Sequence, residues 1–117
     1  MNYIEIMGGL GNQFFQYTFS KYLEKITGNK SVLYMNFFDY IKNSPSLTNR
    51  ENMLDKIKGN FSSVNGSIEC RKIIEESYGY KASSEDDLIF YRGYWQNKSY
   101  FDEVKDISEL PARFLTQ

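Results

Sequence analysis

The stretch Met7-Gly8-Gly9-Leu10-Gly11-Asn12-Gln13-Phe14-Phe15-Gln16-Tyr17 sets three glycines between a short apolar alternation and a longer run with helical spacing. A strand that stops at glycines and restarts as a helix suggests the opening of a βα unit. Upstream, Tyr3 to Met7 reads as a strand with Ile4 and Ile6 on one face and Tyr3, Glu5 and Met7 on the other. Downstream, from Gln13, the residues Phe15, Phe19, Tyr22, Leu23 and Ile26 share a helical face, while Lys21, Glu24 and Lys25 take the opposite one. Asn12 is placed to cap the start of this helix and Gly28 to end it in a left-handed turn. Main-chain amides converge at such a junction and can receive an anion.

The rest of the chain extends the same plan. Ser31 to Asn36 is a second strand, joined to the first by a helix, which makes a parallel crossover the expected topology. Phe37 to Ile41 runs into a loop at Asn43-Ser44-Pro45-Ser46, and Asn49 to Lys58 reads as a helix edged by Met53, Leu54 and Ile57 and stopped by Gly59. Gly59 to Ser67 is either an irregular loop or a strand pair around Asn65-Gly66, and Ile68 to Tyr78 a short helix carrying Ile73 and Ile74. Leu88 to Tyr91 is a strand leading into Arg92-Gly93-Tyr94-Trp95-Gln96-Asn97-Lys98-Ser99-Tyr100-Phe101, a second strand-to-helix junction. Ser99 and Asp102 are spaced there as a capping box, and Glu103 to Leu110 is the last helix, with Val104, Ile107 and Leu110 as its apolar edge and Pro111 after it. The expected class is α/β, a parallel sheet flanked by helices over residues 1–117, with both junctions at the sheet edge where open α/β folds bind ligands.

Composition removes several functions. Lys and Arg total 14 against 15 Asp and Glu in 117 residues, so there is no electrostatic footprint for nucleic acid. Aromatic residues make up 17% of the chain, which suits an ordinary Tyr- and Phe-rich core before it suits a sugar-stacking platform. Cys70 is alone, so no internal disulfide forms, and with no histidine in the chain neither a Cys/His dyad nor a histidine metal site or general base is available. No apolar run approaches a membrane span and the start lacks a signal-peptide pattern, which makes a cytoplasmic setting the default.

Gly9-x-Gly11 before a helix invites comparison with the dinucleotide fingerprint. The third glycine position is Phe14, however, and Asn36 stands where an acid should end the second strand, so ordinary Rossmann NAD binding is disfavoured. No Gly-Lys-Ser or Gly-Lys-Thr occurs, which removes the P-loop reading. Two readings remain open: Gly9 and Gly11 let the backbone approach a pyrophosphate to which Asn12 donates, or the glycines serve packing and Asn12 only caps.

The block Gly8-Gly9-Leu10-Gly11-Asn12-Gln13-Phe14-Phe15-Gln16-Tyr17 closely resembles the N-terminal signature of the α-1,2-fucosyltransferases, glycosyltransferase family 11, usually Gly-Gly-Leu-Gly-Asn-Gln-Met/Leu-Phe-Gln-Tyr. Only Phe14 departs from it. The block Gly93-Tyr94-Trp95-Gln96-Asn97-Lys98-Ser99-Tyr100-Phe101 resembles the Gly-Tyr-Trp-Gln-Ser-x-x-Tyr-Phe block of the same family, in the same order. The resemblance implies a GT-B-like glycosyltransferase that moves L-fucose from GDP-fucose to O2 of a terminal galactose with inversion and without a metal or other cofactor. It further implies that the chain is the Rossmann-like, acceptor-side N-terminal half, truncated before a nucleotide-binding domain that begins with His-x-Arg-x-Gly-Asp-Tyr, a motif these residues do not contain. The isolated chain is then expected to be inactive. The alternative is a non-catalytic remnant or small glycan-binding α/β module.

Within the retained part, the resemblance puts Asn12 first, as a donor to the phosphates or the reacting sugar, with Gly9 and Gly11 shaping the loop and Gln13 in a lesser role. Trp95 and Gln96 are expected to line the donor/acceptor cleft, although a Trp95 buried beneath the loop fits equally well. Arg92 faces either a phosphate or a surface ion-pair partner. No general base is assigned; Glu5 and Asp39 lie near the same sheet without a marking motif. The implied partners are a nucleotide sugar and a galactose-terminated glycan, not nucleic acid, and peripheral association with the inner membrane is left open.

Overall fold

A computed structural model describes residues 1–8, 10–34, 62–64 and 68–105 of the chain. They form β1 (Asn2–Glu5), α1 (Leu10–Thr27), β2 (Ser31–Tyr34), β3 (Ser62–Val64), β4 (Lys72–Glu75), β5 (Ile89–Arg92) and α2 (Lys98–Val104). The strands make one sheet in the order β3-β2-β1-β5-β4, and every neighbouring pair is parallel. The chain therefore steps outward from β1 through β2 to β3, then crosses to the other side of β1. β1 and β5 are neighbours, so the loops that leave their carboxyl ends lie side by side at one edge of the sheet, and the helices they lead into, α1 and α2, pack on each other. Both glycine junctions leave the sheet there.

Helix α1 packs on β1, β2 and α2. Phe19, Tyr22 and Leu23 are buried as their spacing predicts, in one cluster with Ile4, Ile6, Leu33, Tyr91, Trp95, Tyr100 and Val104. The buried stretch is wider than the predicted face, since every residue from Gln16 to Leu23 is buried. Lys21 is among them, not on the solvent face: its ammonium pairs with Glu24 at 3.3 Å and lies 5.6 Å from the centre of the Tyr17 ring, so its charge stays partnered while its stem is covered. Gly28 ends α1 as expected, at φ +72°, with its N–H on the Glu24 carbonyl.

Four expectations need correction. Helix α1 begins at Leu10, so Asn12 stands inside the first turn and is not its cap: Gly8 at φ +85° turns the chain at once and the helix starts earlier than the periodicity suggests. Residues 68–78 hold strand β4 and no helix, because two adjacent β-branched residues suit an edge strand, with Ile74 packed inward and Ile73 half exposed. Ser62–Val64 pairs in parallel with β2, which excludes the loop reading for those three residues. Helix α2 begins at Lys98, before Glu103, and its cap is Asn97, whose Oδ1 accepts from Ser99 N at 2.9 Å, so the Ser99/Asp102 box does not form. The expectations for residues 35–61, for Asn65-Gly66 and for residues 106–111 lie outside the described residues.

At the opposite edge of the sheet, Asp86 gathers a polar cluster. Its Oδ2 accepts from Tyr80 Oη at 2.9 Å, Tyr91 Oη at 3.2 Å and Ser83 N at 3.0 Å. Burial, then the partner hydroxyl and carboxylate around it, pushes the Tyr91 hydroxyl far above the ordinary tyrosine range, and burial pushes Tyr80 and Tyr100 up to about 12. Among the described residues no helix is long and apolar enough to cross a membrane.

Candidate functional site

The first junction is built around Gly8. A Cβ there would lie 3.0 Å from Asn12 Nδ2 and 3.2 Å from Tyr94 Cε1, at a φ that side chains rarely adopt, so only glycine fits. Two buried glutamines fix the turn. Gln13 Nε2 donates to the Gly8 carbonyl at 3.1 Å, and Gln16 Oε1 accepts from Met7 N at 2.9 Å. Gln16 Nε2 then donates to the Gly93 carbonyl at 2.9 Å, tying the first junction to the second. Above them, the first turn of α1 carries no acidic residue. A side chain at Gly11 would meet nothing within 4 Å, so this glycine keeps open the space over the helix start.

The second junction uses its main chain differently. Glu76, just past β4, reaches across with both carboxylate oxygens: Tyr94 N donates to Oε1 at 2.9 Å and Gln96 N to Oε2 at 3.2 Å. Between those amides Trp95 sits at φ +57°, a conformation costing a non-glycine residue about 1–3 kcal/mol unless its surroundings impose it. They do: the indole is 1% exposed and stacks on Phe19, with ring centres 4.1 Å apart and planes 2° from parallel. Gly93, at φ +147°, has no alternative, since a Cβ there would lie 2.4 Å from Glu76 Cβ.

The two junctions meet through side chains, Gln96 Nε2 donating to Asn12 Oδ1 at 2.5 Å. Of the residues expected at the cleft, the structure thus brings Asn12 and Gln96 together, beside Gly11. Gly9 lies outside the described residues. Gln13 is wholly buried and holds the turn from beneath, and Trp95 is a core residue under the loop, its Nε1 without a partner among the described residues. Arg92 takes the ion-pair role, 3.7 Å from both Glu5 and Glu75, so its charge is offset locally. Asp39 lies outside the described residues.

Three contributors escaped the sequence reading. Gln16 stood in the right block but looked like an ordinary helix residue; Tyr94 covers Gly8 with its ring edge; Glu76 was hidden because its segment read as a helix. Once β4 is a strand parallel to β5, an acid directly after β4 must lie beside the loop that follows β5.

Chemically, this edge presents two neutral carboxamides next to the start of helix α1. That set donates to and accepts from hydroxyls and phosphate oxygens without fixing a full charge. Both oxygens of Glu76 accept from main-chain amides, and Glu5 lies 3.7 Å from Arg92. No group of three or more His, Cys, Asp or Glu residues placed to hold a metal occurs among the described residues. Two grooves formed by described residues lie elsewhere, one of about 330 Å³ beside Tyr22, Tyr80 and Tyr100 and one of about 190 Å³ beside Asp86 and Arg71. Compared with family models, with curated proteins and with solved structures, the chain gives no match in any of the three.

Proposed function

We propose that the edge carrying Asn12 and Gln96 is one wall of the cleft of a GDP-fucose-dependent galactoside α-1,2-fucosyltransferase with GT-B-like architecture. One observation carries the reading. The two blocks on which the resemblance rests meet in space, although Asn12 and Gln96 stand 84 positions apart in sequence, and they meet beyond the carboxyl ends of neighbouring parallel strands. Their remaining hydrogen-bonding capacity, with the helix-start amides, supports binding of a hydroxyl-rich or phosphate-bearing molecule.

In this reading the acceptor hydroxyl attacks the anomeric carbon of fucose in line with the departing GDP. The carbon–oxygen bond to the diphosphate breaks as the new glycosidic bond forms, inverting the centre, and the hydroxyl proton passes to a base. Asn12 and the amides around Gly11 face the donor and Gln96 orients Asn12. No metal takes part, and the work takes place in the cytoplasm or peripherally at the inner membrane. The cationic clamp on the diphosphate is assigned to the His-x-Arg-x-Gly-Asp-Tyr motif, which these residues lack, and no base is assigned. These residues by themselves are expected to bind without transferring.

The test is a titration of the ¹⁵N-labelled chain with GDP-fucose and, separately, with lactose. GDP-fucose should shift the amides of Gly11 and Asn12 and the Gln96 side chain with a dissociation constant of about 1 mM, as a one-walled site allows. Shifts from lactose alone would instead support the glycan-binding module. No shift at these residues with either ligand would overturn both readings, and fucose transfer by the chain itself would overturn the division of labour.

A further inference from the structure

We infer that Glu76 is a positioning residue for this site: its carboxylate, seated on the amides of Tyr94 and Gln96, fixes the loop from which Gln96 reaches Asn12. The inference rests on the preceding reading only in calling the Asn12–Gln96 pair a site; the linkage itself is independent of any ligand. Each step is a contact. Glu76 N donates to the Arg92 carbonyl at 2.9 Å, extending the β4–β5 pairing by one bond and placing the side chain over the end of β5. Gly93 offers no Cβ to keep it away. The carboxylate then bridges the amides on either side of Trp95 and holds this residue at its positive φ. That conformation turns the Trp95 ring into the core and the Gln96 side chain out toward Asn12.

The arrangement resembles an anion cradle filled from within. Two consecutive-but-one amides converging on one carboxylate are what a main-chain nest offers a phosphate or carboxylate ligand. Here the chain supplies the anion itself, and spends it on setting a side chain at the neighbouring junction. The hydrogen bonds described for Glu76 go to Arg92, Tyr94 and Gln96, so it acts through Gln96 and not on a bound molecule. A substitution at Glu76 should therefore disturb Gln96 while leaving the first junction's own hydrogen bonds, from Gln13 and Gln16, in place.

Hydrogen exchange and side-chain amide resonances of the full chain test this. In Glu76→Ala the amides of Tyr94 and Gln96 should exchange about tenfold faster or more, as loss of a charge-assisted hydrogen bond predicts, and the Gln96 side-chain resonances should move to free-glutamine positions. The amides of Ile4 and Tyr91 should not change. Formate or acetate added to this variant should refill the cradle and restore part of both signals, a rescue that a merely structural loss would not show. Unchanged Tyr94 and Gln96 exchange, or a carboxylate that rescues neither signal, overturns the proposal. Should Glu76→Ala not fold, Glu76→Gln decides: its carboxamide has a single acceptor oxygen, so at least one of the Tyr94 and Gln96 amides should exchange faster, and unchanged exchange at both overturns the proposal. Failure of the GDP-fucose titration with this linkage intact would remove the functional reading and leave Glu76's role standing.

Discussion

The two strand-to-helix junctions share an edge, a glycine at positive φ and an adjoining helix, yet they dispose of their amides in opposite ways. After β1, the first turn of α1 carries no acidic residue, and a side chain at Gly11 would meet no described atom within 4 Å. After β5, the amides close on Glu76 and the following residue is driven into the core as a stacked tryptophan. A loop whose polar groups are satisfied internally is a part of the scaffold; one whose groups face outward is prepared for something else. The difference assigns the second junction to holding the first.

Removing the anchor of the second junction should have the largest effect. Trp95→Ala deletes a fully buried indole from a stack with Phe19 and leaves a void among Tyr80, Tyr91 and Tyr100. The expected cost is about 3–5 kcal/mol, enough to unfold much of a small domain, and chemical denaturation followed by circular dichroism measures it. A loss under about 1 kcal/mol would mean that the stack does not anchor this loop.

Gln16→Leu breaks the tie between the junctions. It leaves the Met7 amide and the Gly93 carbonyl without their partner, and each buried unsatisfied group costs about 1–3 kcal/mol. Both junctions should loosen together, which hydrogen exchange at Met7 and Tyr94 reports. Loosening at only one of them would show that the coupling runs by another route.

Alkali attacks the layer beneath the second junction. Tyr80 and Tyr100 have folded-state pKa values raised to about 12 from an ordinary value of 10, and Tyr91 is raised further, because burial disfavours the phenolate. A raised pKa means that the folded state favours the protonated form. The stability this contributes is fully present below about pH 10 and is lost as the pH rises through about 12, on the order of 1 kcal/mol per hydroxyl once partial exposure is discounted. Melting temperatures between pH 9 and 12 should fall from about pH 10 upward, while a flat profile would contradict the buried cluster.

How much of this could be read beforehand depended on whether the signal was local. The βα unit, the helix through Phe19 and Leu23 and the Gly28 stop are encoded by residues within a turn or two of one another, and they came out as read. The parallel sheet followed from the crossover length. The segment at Ile73-Ile74 could not be settled locally, because two isoleucines fit either element and only pairing with β5 decides it. Losing β4 also hid Glu76, whose role exists only when the ends of β4 and β5 lie side by side. The position of Asn12 inside the helix was not legible, since Gln13 and Gln16 close the turn beneath Gly8 through contacts that periodicity does not carry.

The smallest stability effect belongs to the residue with the largest expected functional one. Asn12 is half-buried in the first turn of α1, and its described side-chain partner is Gln96, itself exposed. Asn12→Ala removes one solvent-accessible hydrogen bond and installs a better helix former, so the two terms offset and the net change should be within about 0.5 kcal/mol. The core beneath, held by Gln13, Gln16 and Phe19, has no contact to lose. If the proposed function holds, GDP-fucose should nevertheless cease to shift the Gly11 amide, because the carboxamide assigned to the donor is gone. A variant that kept both its stability and its ligand response would confine the first junction to a packing role, and the contrast with the second would disappear. A variant that lost stability as Trp95→Ala does would show that Asn12 belongs to the scaffold after all.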